Sequence, residues 1–235
     1  MERLRRALDA RAAAGDPARL WLRDDDAVAP TPALDRLFGL ARAGIPLTLA
    51  AIPAQSGRAL AAAVAGAPGV TVAVHGWAHA NHAGPGEKKQ ELGAHRPVAA
   101  VLAEVARGFA HLSALHGPRF VPLMVPPWNR IADTVAAALP AAGFRALSVF
   151  GPARHGPLPQ VNTRVDLIDW RGSRGGRDDA VLEREILDAM AQGPVGILSH
   201  HLVHDGAAWR FLDRLAAATL EHPGCRWVPV SDLLP

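Results

Sequence analysis

Residues 70–79 read Val-Thr-Val-Ala-Val-His-Gly-Trp-Ala-His. Five residues of a short apolar run give way abruptly to histidine, glycine and a second histidine. The run has the length and β-branched content of a buried strand, and the polar residues begin where it stops. The same grammar extends in both directions. Upstream lie a strand over Ile45–Ile52, an amphipathic helix over Thr31–Ala43 opened by Thr-Pro, and a short alanine-rich helix over Gly57–Ala65. Downstream come a long helix over Pro97–Leu115 stopped by Gly117-Pro118, a strand over Phe120–Val125, and a helix over Ile131–Ala142 closed by Gly143. Strands over Leu20–Arg23, Arg145–Phe150, Val165–Trp170, Val195–Ser199 and Arg226–Val230, with helices over Asp179–Ala191 and Ala207–Leu220, complete the pattern. Strands alternating with helices specify βα units on a parallel sheet, so the chain reads as one α/β domain over residues 1–235, barrel-like or open. Two Gly/Pro/His-rich stretches, Trp77–Gly93 and Pro152–Arg164, read as long loops.

Composition narrows the function classes. The chain has 235 residues, 49% hydrophobic and 20% charged, enough to build a core. A single cysteine, Cys225, excludes a disulfide framework, a cysteine zinc finger and a CxxC redox motif, and reads as a small buried residue. Arginines or loop residues interrupt the apolar stretches, so a membrane span is not expected. The N-terminal segment lacks an uninterrupted apolar region of the secretory type, and a cytoplasmic location is the expectation. The pI of about 9.9 accompanies a net charge of only +3. Lys88 and Lys89 are the only lysines, so arginine usage sets the pI, and no basic run interleaved with aromatics points to nucleic acid. Histidine is the unusual residue, with 11 copies.

In parallel α/β folds, ligands bind at the C-terminal ends of the strands. The expected strands end in Asp24-Asp25-Asp26, in His75-x3-His79 with His82 behind, in Pro126-Pro127-Trp128-Asn129, around Asp169-Trp170, and in His200-His201 with His204 beyond. Each group alone is ordinary, since aspartates cap turns and histidines occupy solvated faces. Five such groups at one end of a sheet indicate a metal or catalytic site. Two imidazoles on one turn and one carboxylate from Asp24–Asp26 form a facial set for Zn²⁺ or another borderline divalent ion. Alternation along the strand end turns neighbouring aspartates apart, so not all three can ligate. An ion with open positions serves amide or ester hydrolysis, with a remaining aspartate taking a proton from water and a separate histidine protonating the leaving nitrogen.

Arg23-Asp24-Asp25-Asp26, His75-Gly-Trp-Ala-His79, Val125-Pro126-Pro127-Trp128, Asp166-Leu-Ile-Asp-Trp170 and Leu198-Ser-His200 also stand in the order of the five motifs of another group of proteins. In this the chain resembles the polysaccharide deacetylases of the NodB-homology type, carbohydrate esterase family four. The resemblance implies a distorted or incomplete (β/α) barrel of about seven to eight strands. It implies a divalent metal, Zn²⁺ before Co²⁺, Mn²⁺ or Ni²⁺, on Asp25, His75 and His79, with Asp24 as base and His200 as acid. It places Pro127, Trp128, Trp170 and Leu198 against substrate, with Asp166 and Asp169 in support. The implied reaction is deacetylation of an N-acetylated sugar or small amide. Two departures stand out. Leu22-Arg23 and Asp26 flank the aspartates where the family has Thr-Phe and Gly, which leaves the base and ligand open to a one-residue shift. Val125 stands where the family has an arginine paired with the base, a place that Arg23 or Arg130 could take. Alternatives are a metal-dependent C–N hydrolase of cyclic amides or ureides, and a non-catalytic binding module on the same barrel. His82, His201 and His204 read as surface or packing residues.

Overall fold

The computed structural model describes all 235 residues. Eight strands, β1 (Ala18–Ala27), β2 (Leu47–Ala51), β3 (Val70–Val74), β4 (Phe120–Met124), β5 (Ala146–Leu147), β6 (Val165–Asp166), β7 (Val195–Ser199) and β8 (Cys225–Trp227), form one sheet. Its order is β5-β4-β3-β2-β1-β7-β6, with β8 pairing the start of β1, and every pairing is parallel. The ends of this path, β5 and β6, do not pair with each other. Isolated bridges from Leu147 to Gln160 and from Phe150 to Thr163 stitch the gap, so the barrel is distorted and incomplete. Seven helices cover it: α1 (Glu2–Ala13), α2 (Pro32–Arg42), α3 (Arg58–Ala65), α4 (Val98–His116), α5 (Asp133–Ala138), α6 (Asp179–Met190) and α7 (Gly206–Thr219).

The helix starts follow from local chemistry. Thr31 accepts a hydrogen bond from Leu34 N at 3.0 Å with Pro32 opening α2, and Asp178 and Asp205 cap α6 and α7 in the same way. Several elements differ from the sequence expectation, among them β5, α5 and β8, which are shorter than Arg145–Phe150, Ile131–Ala142 and Arg226–Val230. Helix α1 carries only Leu4 and Leu8 as buried residues among arginines, too faint a stripe to read. Strand β1 runs on through the aspartates to Ala27. The expected strand after Val165 stops at Asp166, whose carboxylate turns back to accept Ile168 N at 3.0 Å. Helix α4 is long and apolar enough, by length and composition, to cross a membrane. Here its Val101, Val105 and Leu112 are buried in the core, while Glu104 and the exposed Arg107 lie on the same helix.

Two cores flank the sheet. The larger, with Leu20, Leu22, Leu49 and Val72, fills the space beneath the helices. The smaller, with Trp21, Ala73, Leu123, Val125 and Ala146, fills the barrel interior. Along β1 this alternation puts Trp21, Arg23 and Asp25 on the interior face and Leu20, Leu22 and Asp24 on the helix face.

Candidate active site

A cleft of about 700 Å³ opens at the C-terminal ends of the strands, lined by Asp25, Asp26, His79, Trp128, Asp166 and His200 among others. Strand parity decides which aspartate does what. Asp25 follows Arg23 on the interior face and meets it there. Arg23 Nε lies 2.9 Å from Asp25 Oδ1, and Nη2 donates to Asp25 Oδ2 at 3.0 Å. Nη2 also donates to Asn129 Oδ1 at 2.9 Å, and Nη1 to Ser148 Oγ at 2.7 Å. Arg23 is fully buried and Asp25 2% exposed, so each charge depends on the other. Arg23 thus supplies the cation that Val125 does not.

Strict alternation would send Asp26 to the helix face with Asp24. Instead Asp26 adopts φ 71, within the register shift between Asp24 and Ala27, and its carboxylate swings to the cleft. Its Oδ1 lies 3.1 Å from His75 Nε2 and 3.3 Å from His79 Nε2. His75 Nδ1 donates to Val125 O at 2.9 Å, which aims Nε2 at Asp26, where loss of its proton would free it as a ligand. The ligand atoms of Asp26, His75 and His79 all lie within 4.8 Å of one another. Two nitrogens and one oxygen at this spacing fit a zinc-type ion, since bonds of about 2.0–2.1 Å give a tetrahedron an edge of about 3.3 Å. Burial would raise the Asp26 carboxyl, but His75 holds it well below the usual carboxylate range.

The histidines converge through a loop rather than the helical turn expected from their spacing. Gly76 (φ 61) and His79 (φ 56) are both left-handed. A Cβ on Gly76 would stand 2.0 Å from Glu91 Oε2 and 2.7 Å from the Pro127 ring. The buried Glu91 carboxylate accepts Trp77 N at 3.1 Å, Ala78 N at 2.7 Å and Ala80 N at 3.3 Å, and so shapes this loop from 11 to 14 residues away. Nothing in the sequence singled out Glu91.

Asp24, expected as the base, points away from the cleft. It is fully buried and accepts Ser199 Oγ at 2.5 Å, His201 N at 2.8 Å and His201 Nδ1 at 2.5 Å. Burial alone would raise its pKa, and the His201 charge more than reverses this. His201, read as surface or packing, is 2% exposed and ties β1 to the turn after β7. His204 is half-buried, and burial lowers its pKa to about 4. The residues that could hold a metal are therefore Asp26, His75 and His79, and Asp25, expected as a ligand, lies against Arg23.

The register pairs Arg23 with Leu198 and Asp24 with Ser199, which carries His200 to the level of Asp25. His200 Nε2 lies 4.0 Å from Asp25 Oδ2. The Trp170 ring stands edge-on to His200 at 4.7 Å, and Asp166 Oδ2 accepts Trp170 Nε1 at 2.9 Å. Burial raises the Asp166 pKa. Trp128 (φ 55) packs on His79 at 4.2 Å. The other expected contacts lie deeper or to the side. Leu198 is fully buried at the level of Arg23, below the cleft surface, and Pro127 is buried against Gly76. Asp169 accepts Gly172 N at 3.0 Å and Ser173 N at 3.1 Å and shapes a loop instead of facing the cleft.

No protein-family model and no curated protein matches the sequence. Solved structures do match the fold. A Mycobacterium smegmatis protein described as a polysaccharide deacetylase aligns at TM-score 0.71 and 16% identity, over 92% of this chain and 88% of that one. A peptidoglycan N-acetylglucosamine deacetylase aligns at TM-score 0.60 and 17% identity, over 92% and 87%. A pseudoenzyme of carbohydrate esterase family four from Bacillus anthracis aligns at TM-score 0.63 and 14% identity, over 92% of this chain and 65% of its own. The distorted barrel is thus the fold of the NodB-like polysaccharide deacetylases, and this chain has it over nine-tenths of its length.

Proposed function

We propose that the protein is a metal-dependent hydrolase that removes an acetyl group from an N-acetylated sugar or small amide. The observation that carries this reading is the convergence of Asp26, His75 and His79 beside a separate Arg23–Asp25 pair. Asp26, His75 and His79 would hold the ion, Zn²⁺ before other borderline metals, and a bound ion there polarises an acyl oxygen and acidifies water. Asp25, expected as a ligand in the sequence, takes the base role in place of Asp24. Its carboxylate, fixed by Arg23, accepts the proton of the water that attacks the acyl carbon. His200 donates a proton to the leaving nitrogen as the C–N bond breaks, giving acetate and a free amine. Trp170, held by Asp166, fixes the His200 ring. The Bacillus anthracis pseudoenzyme keeps a second reading in play, a binding module on the same barrel, and turnover separates the two.

The test is metal content and acetate release from N-acetylglucosamine oligomers after loading with zinc. Wild type should retain about one ion per chain, and His75→Ala should lose it. Asp25→Asn should keep the ion and lose about 10²–10⁴-fold in kcat, the worth of a general base. A wild type that retains no metal sinks the reading. So does Asp24→Asn abolishing turnover while Asp25→Asn spares it.

A further inference from the structure

Lysine and arginine make up 25 of the 235 residues. They make up 4 of the 13 residues lining the active-site cleft, about three times that share. The four are Lys89, Arg130, Arg171 and Arg174, and none lies within 4.0 Å of a carboxylate, unlike Arg23 at the floor.

They arrive as two pairs from separate segments, each built into the fold. Arg130 Nη1 donates to Lys89 O at 2.8 Å, joining the loop after β3 to the segment after β4, where Leu92 and Ile131 also bridge. Arg171 and Arg174 ride a tight loop after β6. Its ends are clamped by the Ile168–Gly176 bridge, and its centre by Asp169, whose main-chain oxygen accepts Arg174 N at 2.9 Å. Arg174 itself is left-handed, φ 59. Asp205, the cap of α7, accepts Gly176 N at 3.1 Å, and a Cβ on Gly175 would stand 2.2 Å from that carboxylate. The loop is thus pinned to a helix start, and two arginines are presented at the cleft on a preorganised support.

Charge in the cleft is layered. The floor holds Asp25 against Arg23, and Asp26 in the metal set. Asp166 is engaged with Trp170. The rim holds four cations with no carboxylate within 4.0 Å of them, so an anionic ligand group would meet them unneutralised. Between them, Trp170 and Phe150 are 40% and 44% exposed and offer apolar ring faces. The cleft volume of about 700 Å³ suits a ligand of one or two sugar rings.

We propose that this cleft selects an anionic substrate, one that carries a carboxylate or phosphate near the acylated nitrogen, and that Lys89, Arg130, Arg171 and Arg174 bind that group. The proposal rests on the hydrolase reading for the position of the acyl group, but its test does not depend on turnover. Dissociation constants are measured by calorimetry for N-acetylglucosamine, N-acetylglucosamine 6-phosphate and N-acetylmuramic acid at 50 mM and 500 mM salt. Wild type is compared with Arg171→Gln/Arg174→Gln and with Lys89→Gln/Arg130→Gln. At 50 mM salt at least one anionic probe should bind tenfold or more tighter than the neutral sugar. High salt and at least one double variant should each shrink that advantage by threefold or more, with the neutral sugar unmoved. Which of the two anions gains identifies phosphate or carboxylate as the recognised group. Equal affinity for all three probes overturns the proposal, as does an anionic advantage that survives both double variants. Anion selectivity without acetate release retains this inference and removes the hydrolase reading; acetate release without selectivity does the reverse.

Discussion

Replacing Arg23 by methionine isolates the pairing on which the proposed base depends. Methionine keeps an unbranched stem in the barrel interior and removes the guanidinium. Asp25 is then a 2% exposed carboxylate without its guanidinium partner, with only the His200 ring 4.0 Å away, and Asn129 Oδ1 and the Ser148 hydroxyl lose their donors. Breaking a buried ion pair by removing one partner costs about 3–5 kcal/mol, because the other charge stays desolvated. For a domain of this size, that lowers the melting temperature by roughly 6–20 °C, at about 2–4 °C per kcal/mol. If the loss is the stranded charge, neutralising it should restore stability. Arg23→Met/Asp25→Asn should therefore be more stable than Arg23→Met, by about 2 kcal/mol or more. Urea unfolding of the wild type, both single variants and the double variant gives the coupling directly. Additive losses across the cycle, or a loss below about 1 kcal/mol for Arg23→Met, would show that Asp25 does not depend on Arg23.

Two further outcomes are expected. Glu91→Ala removes the carboxylate that organises the His75–His79 loop, so zinc affinity should fall about 10–100-fold in competition with a chelator, without loss of any ligand. Unchanged affinity would mean that the loop holds its shape unaided. His116, 6% exposed at the end of α4, has both ring nitrogens unpartnered, and burial lowers its pKa to about 4 from 6.5. The unfolded chain therefore binds this proton first as pH falls. Stability should drop between about pH 6.5 and 4 and then level, by about 3 kcal/mol from this residue. His116→Gln should flatten that part of the stability curve, and an unaltered slope would assign it to other groups.

The elements that could be read from the chain are those whose local signals agree with their surroundings. Strands β2 and β3 are apolar but for Thr48 and Thr71 because both faces are covered, and α2, α6 and α7 open on Thr31, Asp178 and Asp205. Where tertiary context decides, local signals fail. Helix α1 packs through Leu4 and Leu8 alone, and β6 ends because the Asp166 side chain competes for the backbone. That His75, His79 and His200 gather at one end of the sheet was legible, because each follows an apolar run there. Glu91 was not, since a carboxylate in a Gly/Pro-rich loop carries no local mark of the three amides it will accept.

Alternation forbids all three aspartates from sharing one site, and the family motif alone leaves the base and ligand open to a one-residue shift. The interior face is fixed by Trp21, which packs with Ala73 and Val125, and two and four residues on it selects Arg23 and Asp25. That count could have been made from the sequence had Trp21 been placed inside the barrel. Asp26 could not have been, because its place depends on a left-handed residue at a register shift that nothing in Asp-Asp-Asp-Ala encodes. The same parity puts an arginine two residues before the proposed base, Asp25, on its own strand. Arg23 is buried against Asp25 on the same strand, and Val125 is barrel core. Asp24, turned outward by the same count, holds His201 and Ser199, so one strand fixes both the proposed base and the segment bearing the proposed acid.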